Sequence, residues 1–221
     1  MPSLPAHRYY YIAGLIFILF VIPAAGFSAE ESRTRIAVIP FQSLMADTGL
    51  GGSVSSPLSG AVFAGGKIVR GAEQIVEEIF INHLKGIQHI EIIELEKVEG
   101  VYRRVSLESL KVPLLEIIKK TGAELNADVV AVGYVFRYEE RVGYHYSAEK
   151  PASTAFEVSF IRCRDGKIIW RSIFDKTQKS LMEDLFQIAS FYKGGGRWLN
   201  AYELTKQGMD DVFKTFAGFE R

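Results

Sequence analysis

The chain has 221 residues, with 26 basic side chains balanced by 26 acidic ones, and one cysteine. That balance leaves no sustained positive field to draw in nucleic acid and no acidic excess of the kind that keeps chains disordered. A lone thiol excludes an internal disulfide, and the length suits one domain with a proper core.

The chain opens in the order of a secretory signal. Arg8 precedes an unbroken apolar and aromatic run from Tyr9 to Ile22, Pro23 ends it, and Ala24-Ala25-Gly26 and Ser28-Ala29 lead into Glu30-Glu31. A run of about fourteen residues is shorter than the roughly 20 that cross a bilayer unaided, which favours removal between Gly26 and Ala29 over permanent anchoring. Residues 1–29 are therefore read as a signal peptide or N-terminal anchor and residues 30–221 as a single α/β domain. Phe27 stands where a lipoprotein leader would present a cysteine, so the reading is periplasm or cell envelope without lipidation.

Arg35 to Phe41 is a β-branched run of strand length that Pro40 should end. Gly49 to Gly66, rich in Gly, Ser and Ala with Pro57, reads as a long mobile loop. From Lys67, Ile68, Ala72, Ile75, Val76, Ile79, Phe80 and Leu84 recur at helical spacing, and Gly86 stops that helix. A short strand is expected over Ile90 to Leu95. Ser109 then precedes a helix with Pro113 near its first turn, Leu110, Leu114, Ile117 and Ile118 on its core face and Gly122 at its end. Ala127 to Phe136 begins a long strand that turns polar and solvent-facing from Arg137.

Ser153 to Arg162 alternates Thr154, Phe156, Val158 and Phe160 against Ala155, Glu157, Ser159 and Ile161. Asp165-Gly166 makes a tight hairpin into Lys167 to Phe174. Ser180 with Glu183 and Asn200 with Glu203 have capping-box spacing. They start two helices, one presenting Leu181, Leu185 and Ile188, the other Tyr202, Met209, Val212, Phe213 and Phe216. A mixed parallel and antiparallel sheet flanked by helices packs this order economically. Cys163, in an apolar run, is read as a small buried hydrophobe.

Three patterns with chemical potential are weak. Gly60 to Lys67 approaches a phosphate loop but is one residue too long, with Ile68 where a metal-binding hydroxyl is needed. His83 and His89 flank Gly86 at a spacing no common metal motif uses. Glu139 and Glu140 are adjacent on a strand, point to opposite faces, and read as a solvated strand end.

Three segments carry a resemblance. Ile36-Ala37-Val38-Ile39-Pro40-Phe41, the stretch Gly122 to Gly133 with its Ala127-Asp128 step, and Asp165-Gly166-Lys167-Ile168-Ile169-Trp170 resemble signatures of the curli-secretion-component (CsgG) group. That group includes the amino-terminal domain of the TolB translocation protein and the lipoprotein activators of penicillin-binding proteins. The resemblance implies an envelope protein of mixed α/β fold that binds or assembles, with no catalytic residues to transfer. The chain departs from the group in lacking the lipidated cysteine and the membrane hairpins of the secretion pore. Pro57 and its neighbouring glycines break Gly49 to Gly66, and Tyr144 to Pro151 is too short for strands of about 9 to 11 residues.

The expected role is a non-catalytic binding or assembly component of the envelope, in secretion or surface-structure biogenesis, without cofactor or metal. The alternatives are a regulator of a cell-wall synthesis enzyme and, in a different class, an envelope hydrolase. The partner is an envelope protein or a second copy of the chain, with peripheral membrane contact compatible and no small-molecule substrate indicated. Candidate partner-binding residues are Tyr138, Tyr144, His145 and Tyr146 in one segment and Arg197 and Trp198, beside Gly194-Gly195-Gly196, in another. Tyr, Trp and Arg anchor interfaces because each buries a large body while keeping a polar tip paired.

Overall fold

The computed structural model describes residues 33–46, 52–109, 111–144, 147–178 and 198–219. The leader, Leu110 and the helix expected after Ser180 lie outside them. Strand β1 (Thr34–Val38) runs parallel to strands of later segments on both sides. Pro40 has no N–H to give a ladder, and it interrupts the track without ending it: β2 (Gln42–Ser43) resumes pairing farther along the same neighbour.

The segment expected to be a mobile loop is a two-stranded hairpin, β3 (Ser53–Ser55) and β4 (Val62–Ala64). Pro57 sits in its turn, and Val54 and Phe63 are buried. Each strand thus gives the core one large side chain, enough to dock a hairpin whose composition otherwise reads as loop. Helix α1 (Ala72–Leu84) starts five residues later than periodicity suggests. Lys67 to Val69 is extended, and Ile68 bridges in parallel to Tyr138. Gly71, at φ 82°, turns the chain into the helix.

Next come β5 (Ile90–Ile92), α2 (Leu95–Glu108) and α3 (Leu114–Glu124). Helix α2 is absent from the sequence reading, and Ser109 closes it instead of capping the following helix, whose N-cap is Pro113. Then follow β6 (Val129–Glu139), the small hairpin β7 (Val142–Tyr144) and β8 (Ser147–Lys150), β9 (Ser153–Arg162), β10 (Ile168–Thr177) and α4 (Ala201–Phe213). The turn between β9 and β10 is five residues long, Cys163 to Lys167, with Gly166 N donating to the Arg162 carbonyl at 2.8 Å and Gly166 at φ 71°.

The main sheet has the order β10-β9-β6-β1-β5, parallel through β6, β1 and β5 and antiparallel through β6, β9 and β10. The mixed sheet flanked by helices is therefore the fold. Helices α1 and α4 cover one face, where Phe160 lies 4.9 Å from Trp170, 5.1 Å from Phe216 and 5.0 Å from Phe219, ring centre to ring centre. Helices α2 and α3 and the β3–β4 hairpin cover the other, with Phe63 stacked 3.8 Å from Phe136. Gly133 is set by packing: a Cβ there would lie 2.3 Å from the Phe41 ring.

Strand β6 does not turn solvent-facing at Arg137. It is buried through Tyr138, because the bridge at Ile68 covers one side of its far half and β9 continues along the other. Arg137 itself is 7% exposed, and its guanidinium is satisfied from three directions. Nε donates to Ser153 Oγ at 2.5 Å, Nη1 to the Ala64 carbonyl at 2.9 Å and Nη2 to Asp175 Oδ1 at 2.5 Å. One cation thus joins β6, the β3–β4 hairpin, β9 and β10.

Candidate functional site

The site grows from the corner where β6 ends. Glu139 and Glu140 point in different directions: Glu139 is half-buried, Glu140 is exposed just past the strand end, and both carboxylates are engaged. Glu139 Oε1 accepts from Lys67 N at 2.9 Å and Oε2 pairs with Lys150 Nζ at 2.5 Å. Burial pushes the Glu139 carboxyl up, but the Lys150 ammonium and the Lys67 N–H outweigh it and hold the pKa below the ordinary value. Glu140 reaches the opposite way, where its Oε2 accepts from Ala201 N at 3.1 Å and occupies an orphan donor at the start of α4.

The neighbouring Arg141 donates from Nη1 to the Trp198 carbonyl at 3.3 Å. Gln178 Oε1, at the end of β10, accepts from Leu199 N at 2.9 Å. Helix α4 is held in register by the capping box that its sequence announces: Asn200 Oδ1 accepts from Glu203 N at 2.7 Å, and Glu203 Oε2 accepts from Asn200 N at 3.1 Å. Residues flanking the two candidate segments, far apart in sequence, therefore meet at one corner.

The candidate residues fall as follows. Tyr138 is a correction to the expected surface role: it is 1% exposed, on the α1 and α4 face of β6, and burial raises its hydroxyl pKa above the ordinary range. Tyr144 closes β7 at the tip of the small hairpin, paired in register with Ser147. His145, Tyr146 and Arg197 lie outside the described residues. Trp198 is half-buried beside Arg141. The sequence reading assigned Tyr202 to the core, whereas it is 48% exposed in the first turn of α4, and Leu204, Thr205 and Gly208 face inward instead. Val142 is 50% exposed on the hairpin. These two side chains join the candidate surface; the capping box, which fixes where α4 begins, is the signal that could have placed Tyr202.

The other motifs resolve as architecture. Within Gly60 to Lys67 the chain is strand β4 and an extended lead into α1, not a phosphate-cradling loop at a helix start. His83 Nε2 meets Asp210 Oδ1 at 2.7 Å and its ring stacks on Phe213, tying α1 to α4. His89 sits at φ 62° with its carbonyl accepting from Thr34 N. Among the described residues no group of His, Cys, Asp and Glu could hold a metal ion, and no helix is long and apolar enough to cross a membrane. Cys163 is partly buried against Gly122, and burial, aided by the Asp128 charge, pushes its thiol up to about 11.

No family model and no curated protein matches the chain. Among solved structures it is similar to the PelC dodecamer from Paraburkholderia phytofirmans, at 12% identity over 86% of this chain and 91% of that one, with a TM-score of 0.46. It is also similar to lipoprotein GNA1162 from Neisseria meningitidis, at 12% identity over 74% and 99%, TM-score 0.41. A third is the LpoB C-terminal domain from Salmonella enterica, at 11% identity over 66% and 84%, TM-score 0.35. Likeness at this level assigns neither family nor activity.

Proposed function

We propose that this chain is an exported, non-catalytic binding or assembly component of the cell envelope, and that it meets its partner through the corner described above. The observation that carries the reading is the junction of Arg141 with the Trp198 carbonyl and of Glu140 with Ala201 N. It sets the base of the β7–β8 hairpin and the start of α4 side by side. Tyr144, His145, Tyr146, Arg197 and Trp198, joined by exposed Val142 and Tyr202, supply the aromatic and cationic anchors that interfaces use. Both carboxylates at this corner are engaged in holding backbone N–H groups, which suits a rigid presenting surface better than acid–base work.

The leader supports export and release between Gly26 and Ala29. The partner is an envelope protein or a second copy of the chain. The strand and hairpin signatures that resemble the curli-secretion-component group favour a role in secretion or surface-structure biogenesis. Fractionation with intact-mass measurement, followed by crosslinking and pull-down from envelope extract, tests the reading. An envelope-located mature chain that captures a partner at this corner supports it; a cytoplasmic chain, or capture unaffected by corner substitutions, overturns it.

A further inference from the structure

At the opposite end of β9 and β10 the fold leaves a cleft that the partner reading does not use. Pro57 and Leu58 of the β3–β4 turn, Pro113 to Leu115 at the start of α3, and Gly166 to Ile168 around the start of β10 line an open cleft of about 570 Å³. That volume lies within the roughly 300–1,000 Å³ of small-molecule sites. Its three walls come from distant parts of the chain and are each fixed in place. The hairpin turn is pinned by Ser59 Oγ donating to Glu157 Oε2 at 2.8 Å, and α3 packs over Gly166 so closely that a Cβ there would lie 2.8 Å from the Lys119 side chain.

The walls are aliphatic apart from one ionisable side chain, Lys167. The bordering segments add Lys111, two residues before Pro113, and Arg164, two residues before Gly166. Glu116 is held by Lys119 at 3.0 Å, and Asp165, held by Arg162 at 2.8 Å, also feels the Lys167 charge, so that Lys167, Lys111 and Arg164 together leave this border with a basic excess. Ile168, in the lining, is 40% exposed. An apolar cleft with a net basic border is complementary to a molecule with one aliphatic chain and one anionic head.

We infer that this cleft binds a small aliphatic anion, with the chain against Leu58, Leu114, Leu115 and Ile168 and the head on Lys167. The inference goes beyond the partner reading and stands on a different end of the sheet. Calorimetric titration of the full chain with decanoate below its micelle concentration tests it, with 1-decanol and phosphatidylglycerol vesicles as comparison arms. Decanoate should bind about tenfold more tightly than decanol, and Lys167→Glu should remove that preference, as expected for one charge-assisted contact. Leu58→Asp should weaken both ligands and lower the thermal midpoint, since Leu58 also packs on the core, whereas Lys167→Glu leaves the midpoint unchanged and both variants leave partner capture unchanged. Equal binding of decanoate and decanol overturns the inference, as does decanoate binding indifferent to both substitutions, which would place it elsewhere on the chain. Binding to the vesicles alone would make this end a bilayer-docking face and contradict the cleft assignment.

Discussion

Arg137 Nη2 stands 2.5 Å from Asp175 Oδ1, with strand β9 between the strands that carry them. A buried guanidinium spans the sheet toward its edge, and on the way it holds Ser153 and the backbone of the β3–β4 hairpin. Arg137→Ala strips three acceptors of their donor and should cost about 3 kcal/mol, read as a lower urea midpoint at constant slope. Arg137→Lys keeps the charge but not the fork, so it should recover less than half of that. A change within experimental error for the alanine variant would show that the guanidinium is not the brace.

Gly133 should tolerate no side chain. Its hydrogen faces the Phe41 ring, and Phe41 in turn packs 5.3 Å from Phe80, so neither ring has room to retreat. Gly133→Ala should destabilise by about 1 to 3 kcal/mol through overpacking, and Gly133→Ala with Phe41→Leu should recover part of the loss. Thermal unfolding of the three proteins checks it.

Glu77 supplies a pH signature. Its Oε2 accepts from Phe41 N at 2.7 Å, yet burial outweighs that bond and raises its pKa above the ordinary 4.5. The unfolded chain therefore ionises this group first as pH rises. Its contribution to stability is greatest below the ordinary value, and is lost as pH climbs through the raised one. Glu77→Gln keeps the acceptor and removes the charge, so the difference in stability, variant minus wild type, should grow across that window. Denaturant midpoints measured from pH 4 to 8 test the sign; a difference that shrinks with rising pH contradicts it.

Cys163 should be slow to react. With its thiol pushed from 9.0 up to about 11, the thiolate fraction near neutral pH falls about a hundredfold. Labelling by a disulfide reagent at pH 8 should accelerate by at least that factor on adding denaturant. Comparable rates in the folded and unfolded chain would mean an open, ionisable thiol.

The central strands, α1, α3 and the capping box of α4 were legible because each carries a long apolar repeat or a reciprocal pair of side chains at fixed spacing. Helix α2 was not: only Val98 and Val105 are fully buried, the other faces are mostly charged, and Gly100 interrupts the pattern. The β3–β4 hairpin hid behind glycine and serine, since one buried residue per strand leaves no readable alternation. Arg137 read as solvent-facing because its acceptors lie 16, 38 and 73 residues away, and pairing at that range leaves no local trace. The same error of depth put Tyr138 on the surface. At the candidate site, the anchoring residue types were visible in the sequence, whereas the meeting of Arg141 with the Trp198 carbonyl depends on the fold of the whole sheet.

The most direct test of the assembly reading is the triple substitution Tyr144→Ala, Tyr146→Ala and Arg197→Ala, followed by thermal unfolding and by light scattering and pull-down from envelope extract. The account predicts a nearly unchanged thermal midpoint with association weakened by about 1 to 3 kcal/mol, the partial loss of interface anchors. A triple variant that keeps every partner and the same oligomeric mass would contradict it, and so would one that loses stability instead of association.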